Sequence, residues 1–344
     1  MALDRAVGAM LGLAAGDALG AAYEFGPRLT SPPEMAGGGP FGWEPGEWTD
    51  DTQMALCIAR VTGAGELARR AAQHFAANPR GAAGNGSLMR TAPVALAYLG
   101  DEAAMAEAAV ATSALTHGDR LAGEACVLWC TAVDRAVREG RIDGVREGIV
   151  LLEAPSRDAW HGWLDEAERV PPEAFVPNGF VVRALQAAWS AIRATPVPAR
   201  MPCLHLQRAL ERAVSVGDDS DTVGAIAGQL LGARWGASAF PLAWRAVLHG
   251  WPGYDTADLE RVAILCARGG KADPVTGWPT AGTLLPYYRR WGATGLVAGL
   301  EEDPGVRVGD ALAAAADREA DVVVSLCRMG AGDVEGREHH RVWL

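Results

Sequence analysis

Two stretches of this chain gather oxygen-bearing side chains at the apparent start of a helix. The first is Trp48, Thr49, Asp50, Asp51, Thr52, directly ahead of the helical pattern at 53–61. The second is Gly217, Asp218, Asp219, Ser220, Asp221, Thr222, ahead of the small-residue run VGAIAG at 223–228. A Thr or Asp there is ordinary capping, and acidic residues in a first turn suit any helix, so a single copy reads as a cap. The second copy changes the reading. Its carboxylates Asp218, Asp219 and Asp221 repel one another, and a helix of small residues packs deep, where unpaired charge is costly. A bound cation answers both difficulties. Oxygen-only donors select Mg²⁺ or Mn²⁺ over zinc, and two such motifs point to a two-metal centre.

Other residues carry weaker signals. In GNGSLMR at 84–90, Gly84 and Gly86 let a backbone come close, and Asn85 or Ser87 can cap a following helix. Backbone N–H groups at such a helix start suit a diphosphate, the alternative being a plain cap. Arg90 then falls one turn inside the helix and reads as a structural ion-pairing residue. His117 closes an apolar pattern before Gly118, as a helix C-terminal residue facing the dipole would. Glu24 follows an apolar helix and alone reads as a solvated end residue. Asp17, between Gly16 and Gly20, reads as a helix-end or supporting carboxylate. His74, His161, His205 and His249 have no partner motif, and nothing singles out an adenine-stacking ring among 12 Trp and 5 Tyr.

The elements that must position these groups are helical. Apolar residues recur at three- and four-residue spacing, as at 119–139 and 180–194, with turn signals at 37–40 and 195–202. The expected fold class is all-α, a compact multi-helix bundle over residues 1–268. The extension 269–344 reads as a small β-containing appendage. In it a Pro/Gly-rich passage (273–286) precedes a helix-like run (308–320) and strands at 322–327 and 340–344 joined by a Gly-rich turn. A formal charge of −11 disfavours nucleic acid and anionic membrane surfaces. No apolar run is expected to approach the roughly 20 residues that a membrane helix needs, because charges or glycines interrupt every one, and the six cysteines, without a CxxC pair, suit reduced, buried thiols in a cytoplasm. A soluble cytoplasmic protein is expected, with its oligomeric state open.

Taken together, residues 12–20 (GLAAGDALG) with Tyr23, Glu24 and Phe25, residues 49–52, residues 84–90 with Pro93, Thr116 and His117, and residues 219–228 resemble the ADP-ribosylglycohydrolase family. Order and spacing agree over roughly residues 4–268, and the tail lies outside. The resemblance implies two Mg²⁺ or Mn²⁺ ions held by Thr49, Asp50, Asp51, Asp219, Asp221 and Thr222. It implies catalytic roles for Glu24, as gate or acid/base, and for Asp51. It also implies substrate contacts from Gly84, Asn85, Gly86, Ser87, Met89 and His117. Asp218 departs from the Gly expected there and either alters metal affinity or points away. The implied reaction is metal-dependent release of ADP-ribose from a protein side chain, arginine first among acceptors, by cleavage of the C1″ glycosidic bond. The alternatives are a hydrolase of small ADP-ribose conjugates, a phosphohydrolase attacking the diphosphate, or a catalytically lapsed ADP-ribose-binding module. Residues 37–47 are expected to form the rim that sets acceptor choice.

Overall fold

The first helix, α1 (Ala2–Gly20), has glycine at every fourth position from Gly8 to Gly20, and it is buried all round from Ala6 onward. Its partner is the helix read from the second acidic motif, Ser220–Trp235, which carries Gly224, Gly228 and Gly232 at the same spacing. The two glycine stripes face each other in antiparallel order. A Cβ at Gly12 would lie 1.9 Å from the Gly228 carbonyl oxygen, one at Gly16 would lie 2.0 Å from that of Gly224, and one at Gly20 would meet the Asp221 backbone at 2.3 Å. No side chain fits in this seam, so backbone packs on backbone.

This computed structural model describes residues 2–61 and 83–342, and His74 lies outside them. The chain divides into two units, Met1–Gly270 and Lys271–Leu344. In the first, α1 is followed by α2 (Asp50–Val61), α3 (Ala92–Ala97), α4 (Glu102–Ser113), α5 (Arg120–Glu139), the single turn α6 (Gly144–Glu147), α7 (Ala154–Arg169), α8 (Val181–Ala194), α9 (Leu204–Val214), α10 (Ser220–Trp235), α11 (Leu242–Val247) and α12 (Thr256–Ala267). A two-residue hairpin, β1 (His249–Gly250) with β2 (Tyr254–Asp255), joins the last two helices. Helix α5 shows how sequence sets its bounds. The Asp119 carboxylate accepts the Leu121 N–H at 2.9 Å, and Gly140 ends the helix with φ +73°. Around the α1–α10 pair lie α5, α9 and α12, and Trp129 of α5 donates its indole N–H to the Ile226 carbonyl at 3.0 Å.

Three expectations need correction. Residues Ala2–Tyr23 are long and apolar enough to cross a membrane, but 89% of their most apolar window is buried inside the fold, as in a core helix. Of the six cysteines, Cys57 and Cys327 are exposed and Cys203 is partly so. In the second unit the helix-like run is broken. Arg307–Gly309 (β4) pairs antiparallel with Val297–Gly299 (β3), and Asp310 caps the shorter helix α14 (Ala311–Ala316), which follows α13 (Leu285–Arg290). The last strands, β5 (Val322–Ser325) and β6 (Glu338–Arg341), run parallel. A tight turn cannot join parallel neighbours, and residues 326–337 cross over instead, burying Met329 and Val334 against Val323 and Ala315.

The seam makes a stability prediction with an internal control. Gly228→Ala places its methyl 1.9 Å from the Gly12 carbonyl oxygen, whereas a methyl at Gly162, exposed in α7, meets nothing within 4 Å. In urea titrations Gly228→Ala should destabilise by about 3 kcal/mol or more, and Gly162→Ala should stabilise by about 0.4–1 kcal/mol.

Candidate metal centre

The glycine seam sets the C-terminal turn of α1 against the N-terminus of α10. Asp17 is wholly buried and faces the start of α2. One of its carboxylate oxygens accepts the Thr49 N–H at 2.9 Å, and the other accepts the Thr52 N–H at 3.0 Å and the Thr52 hydroxyl at 2.6 Å. One buried acid of α1 therefore ties down the start of α2, satisfying N–H groups that the helix itself cannot pair.

Asp51 and Asp221 are both buried. Oxygens of Asp17, Asp51 and Asp221 lie within 4.8 Å of one another, as do oxygens of Glu24, Asp219 and Asp221. Asp221 thus belongs to two carboxylate triplets. Thr49 and Thr222 are buried beside them, the Thr49 hydroxyl 3.5 Å from Asp51 and the Thr222 hydroxyl 3.7 Å from the Met89 sulfur. Asp50 is exposed on the first turn of α2 and belongs to neither triplet. Asp218 turns away from the cluster. Its carboxylate accepts the Asn178 N–H at 2.9 Å, and its backbone, at φ +61°, pairs with Gly26.

The segment 84–90 is not a helix start. Residues Asn85–Ser87 form one 3₁₀ turn and Leu88–Arg90 continue as a turn before α3. The physical reason is that Asn85 spends its side chain elsewhere, donating to Asp219 at 2.6 Å and to the Asn178 carbonyl at 3.2 Å. Ser87 is buried and accepts from Ser113 at 2.9 Å, and the buried Met89 backbone accepts from Gln229. Arg90 forms no ion pair among the described residues. It donates to Thr116 at 2.6 Å and to the Met54 sulfur at 3.1 Å, leaving its buried Nε unpaired.

Thr116 in turn lies 2.7 Å from Nδ1 of His117. Arginine can only donate, so the Thr116 proton is free for Nδ1 and the neutral ring carries its own proton on Nε2. Burial, then the Arg90 charge, lowers the pKa of His117 and favours that neutral form. The ring lies against the two glycines, where a Cβ at Gly84 or Gly86 would stand 3.2 or 3.1 Å from it.

Asn178 went unrecognised in the sequence. It is wholly buried, accepts the Asp219 N–H at 3.0 Å and donates to the Gly217 carbonyl at 3.0 Å, fixing the second acidic loop. In sequence it is only an Asn between Pro177 and Gly179, the composition of any turn.

The electrostatics are one-sided. Among the described residues no lysine or arginine ion-pairs with Asp17, Asp51, Asp219, Asp221 or Glu24. Burial and then mutual repulsion push Asp51 and Asp221 well above the carboxylate range. Glu24, half-buried, is raised to about 7 by desolvation and by the charges of Asp219, Asp50 and Asp17. Asp51 Oδ1 and Asp221 Oδ1 are buried without any hydrogen-bond partner. Orphaned oxygens on mutually repelling acids fit an oxygen-liganded divalent cation, which would supply the missing partner and the missing charge together.

A helical fold built round a buried cluster of carboxylates that could hold a metal ion is the class of protein these features define. A profile of the ADP-ribosylglycohydrolase family matches residues 1–78 and 60–274, and the chain belongs to that family. It is 31% identical over 284 residues to the ADP-ribosylarginine hydrolase Tri1 of Pseudomonas putida (strain GB-1), covering 71% of this chain and 74% of that one. It is 29% identical over 282 residues to the ADP-ribosyl-[dinitrogen reductase] glycohydrolase of Rhodospirillum rubrum, covering 71% and 90%. Among solved structures, one described as an ADP-ribosylglycohydrolase-related protein complex superimposes with TM-score 0.63 at 33% identity, over 78% of this chain and 99% of that one.

The raised acids carry a sign. For Asp221, pushed up to about 9 from an ordinary 3.8, the folded protein binds more protons than the unfolded one between those two values, so its contribution to stability falls as pH rises across that window. Below the window both states are protonated and nothing is lost. Asp221→Asn should therefore stabilise chelator-treated protein at pH 8 and leave it nearly unchanged at pH 4, as read by urea midpoints. Destabilisation at pH 8 would show that the carboxylate is already compensated.

Proposed function

We propose that this chain hydrolyses the C1″ glycosidic bond joining ADP-ribose to a modified protein side chain, arginine being the acceptor, with two Mg²⁺ or Mn²⁺ ions at the carboxylate cluster. The observation that carries this reading is the pair of triplets sharing Asp221, with an orphaned buried oxygen on Asp51 and another on Asp221. The printed names of the P. putida and R. rubrum relatives support the reaction class and the acceptor.

Asp51, Asp219 and Asp221 would hold the ions, with Thr49, Thr222 and Asp50 completing the sets. Asp17 and Glu24 lie close enough to contribute, one in each triplet. Bound divalent ions supply charge that orients ribose hydroxyls and acidifies water. The chain's own residues do the rest. Glu24, half-buried at the edge of the cluster, would be the group that passes a proton to the leaving nitrogen as the C1″–N bond breaks. It can then take one from the water whose oxygen bonds to C1″. Asp51 shares the base role. Gly84, Asn85, Gly86, Ser87 and Met89 would form the diphosphate side. There the glycines give close backbone approach, His117 Nε2–H is a donor, and Ser87 and Met89 act from below as buried supports.

Two measurements test the reading. On an arginine-ADP-ribosylated protein, Asp51→Asn and Asp221→Asn should each slow ADP-ribose release by about 10²–10⁴-fold, with intact ADP-ribose as product. Wild-type rates in both variants, or AMP as product, would overturn it. Metal-stripped protein should melt about 5–10 °C higher in saturating Mg²⁺ or Mn²⁺, and the Asp221→Asn variant should lose that response. A metal response with bound ADP-ribose but no cleavage of any conjugate would mark a lapsed site.

A further inference from the structure

Beside the carboxylate cluster the chain displays aromatic rings that the proposed reaction leaves unused. Phe25 directly follows Glu24 and is 65% exposed, and Phe41 is 63% exposed. Their rings meet edge to face at 6.5 Å, and Phe41 continues to Trp43 at 6.2 Å. Exposed rings that touch one another form a contiguous apolar patch, the kind of surface that marks an interaction site where scattered single rings do not.

The backbone holds this surface at a cost. Phe25 has φ +58°, a left-handed conformation that a bulky residue rarely adopts. It is pinned by its N–H to the Asp218 carbonyl at 2.7 Å and by the return bond from Asp218 N–H to the Gly26 carbonyl at 2.9 Å. The Phe41 loop is closed by a matching pair, Gly38 N–H to the Trp43 carbonyl at 2.7 Å and Trp43 N–H to the Gly38 carbonyl at 2.9 Å. Both aromatic segments are therefore positioned before any ligand arrives, and the strained one is tied to the same loop that carries Asp219 and Asp221.

The charge around the rings selects the occupant. Glu24 directly precedes Phe25, Glu44 directly follows Trp43 with Glu47 three residues further on, and Glu44 is exposed. Arg28 is already paired with Glu173 at 2.8 Å, and His249 with Glu44 at 3.2 Å. With Arg28 and His249 already engaged, the acids Glu44 and Glu47 beside Trp43 favour a cationic chain, whose guanidinium groups also favour aromatic faces.

We propose that Phe25, Phe41 and Trp43 form the docking surface for the acceptor polypeptide, engaging the basic, arginine-bearing segment on either side of the modified residue. The proposal rests on the function argued above and adds the partner side of the site, and it requires a substrate that extends beyond the modified residue.

The test compares two substrates with metal-loaded enzyme, a histone mono-ADP-ribosylated on arginine and free ADP-ribosyl-arginine. Phe41→Ser should lower kcat/KM on the histone about tenfold, through KM, while changing that on ADP-ribosyl-arginine by less than about twofold. Phe25→Asn, which keeps a residue tolerant of positive φ, should behave likewise, and melting curves check that both variants are folded. Equal losses on both substrates, or none on the histone, would overturn the docking surface. So would a self-associating wild type that Phe41→Ser disperses without altering the substrate ratio. Failure of the wild type on both substrates would instead sink the proposed function.

Discussion

The direct contact between the backbones of α1 and α10 is the constraint on which the rest of the structure depends. Two ordinary helices stand apart by the length of their side chains, but here glycines at four-residue spacing on both helices remove that spacer. The antiparallel register then fixes what lies at the far end. With Gly8 against Gly232 and Gly12 against Gly228, Gly20 must lie against Asp221, and Asp17 one turn earlier must reach both Asp221 and the start of α2. Acids roughly 200 residues apart in the chain are brought together by a packing rule and not by any local attraction. Local electrostatics opposes the meeting.

That opposition is what gives the cluster its chemistry. A carboxylate buried with a hydrogen-bond partner is a structural group, as Asp17 largely is, with its amide and hydroxyl donors. Asp51 and Asp221 are different, since each keeps one buried oxygen with no donor. The neighbouring amides are neutral and hold Asp219 from outside the triplets, Asn85 by donating to its carboxylate and Asn178 by accepting its backbone N–H. They orient the acid without cancelling its charge. A lysine in their place would lower the repulsion and also occupy the oxygens, so the neutrality of this shell preserves the site for a cation. The Arg90–Thr116–His117 chain follows a related rule on the other side, where a buried cation acts through a hydroxyl to set the tautomer of a neutral ring.

What could be read from the sequence follows the range of the interaction concerned. Caps and helix periodicity are local, so Asp119 and Gly140 bound α5 within a residue of the pattern that announces it. The acidic motifs were legible because burial on a small-residue helix makes their charge anomalous. The seam itself was only half visible. The small residues at 223–228 suggest deep packing, but nothing local names the glycines of α1 as the surface they pack on. GNGSLMR misleads for the same reason, since Asn85 looks like a cap until Asp219, distant in sequence, claims its amide. Asn178 carries no local mark at all. The Gly-rich passage before β6 imitates a hairpin turn, and only the pairing partner reveals that the strands run parallel.

The molecule therefore separates two demands that compete in any hydrolase of large substrates. Precise placement of repelling acids needs rigid support, and it is met by helices whose contact tolerates no side chain. Recognition of a variable partner needs exposed groups outside that rigid support, and the docking surface we propose lies on residues 21–47 between α1 and α2. The two regions meet where Gly26 and Asp218 pair, each next to a residue of its own region, Phe25 on one side and Asp219 on the other. A substitution that relaxed the left-handed backbone at Phe25 would free the loop and also release a support of the acidic motif. Strain at that position is retained because the backbone that displays the ring is the same backbone that steadies the cluster.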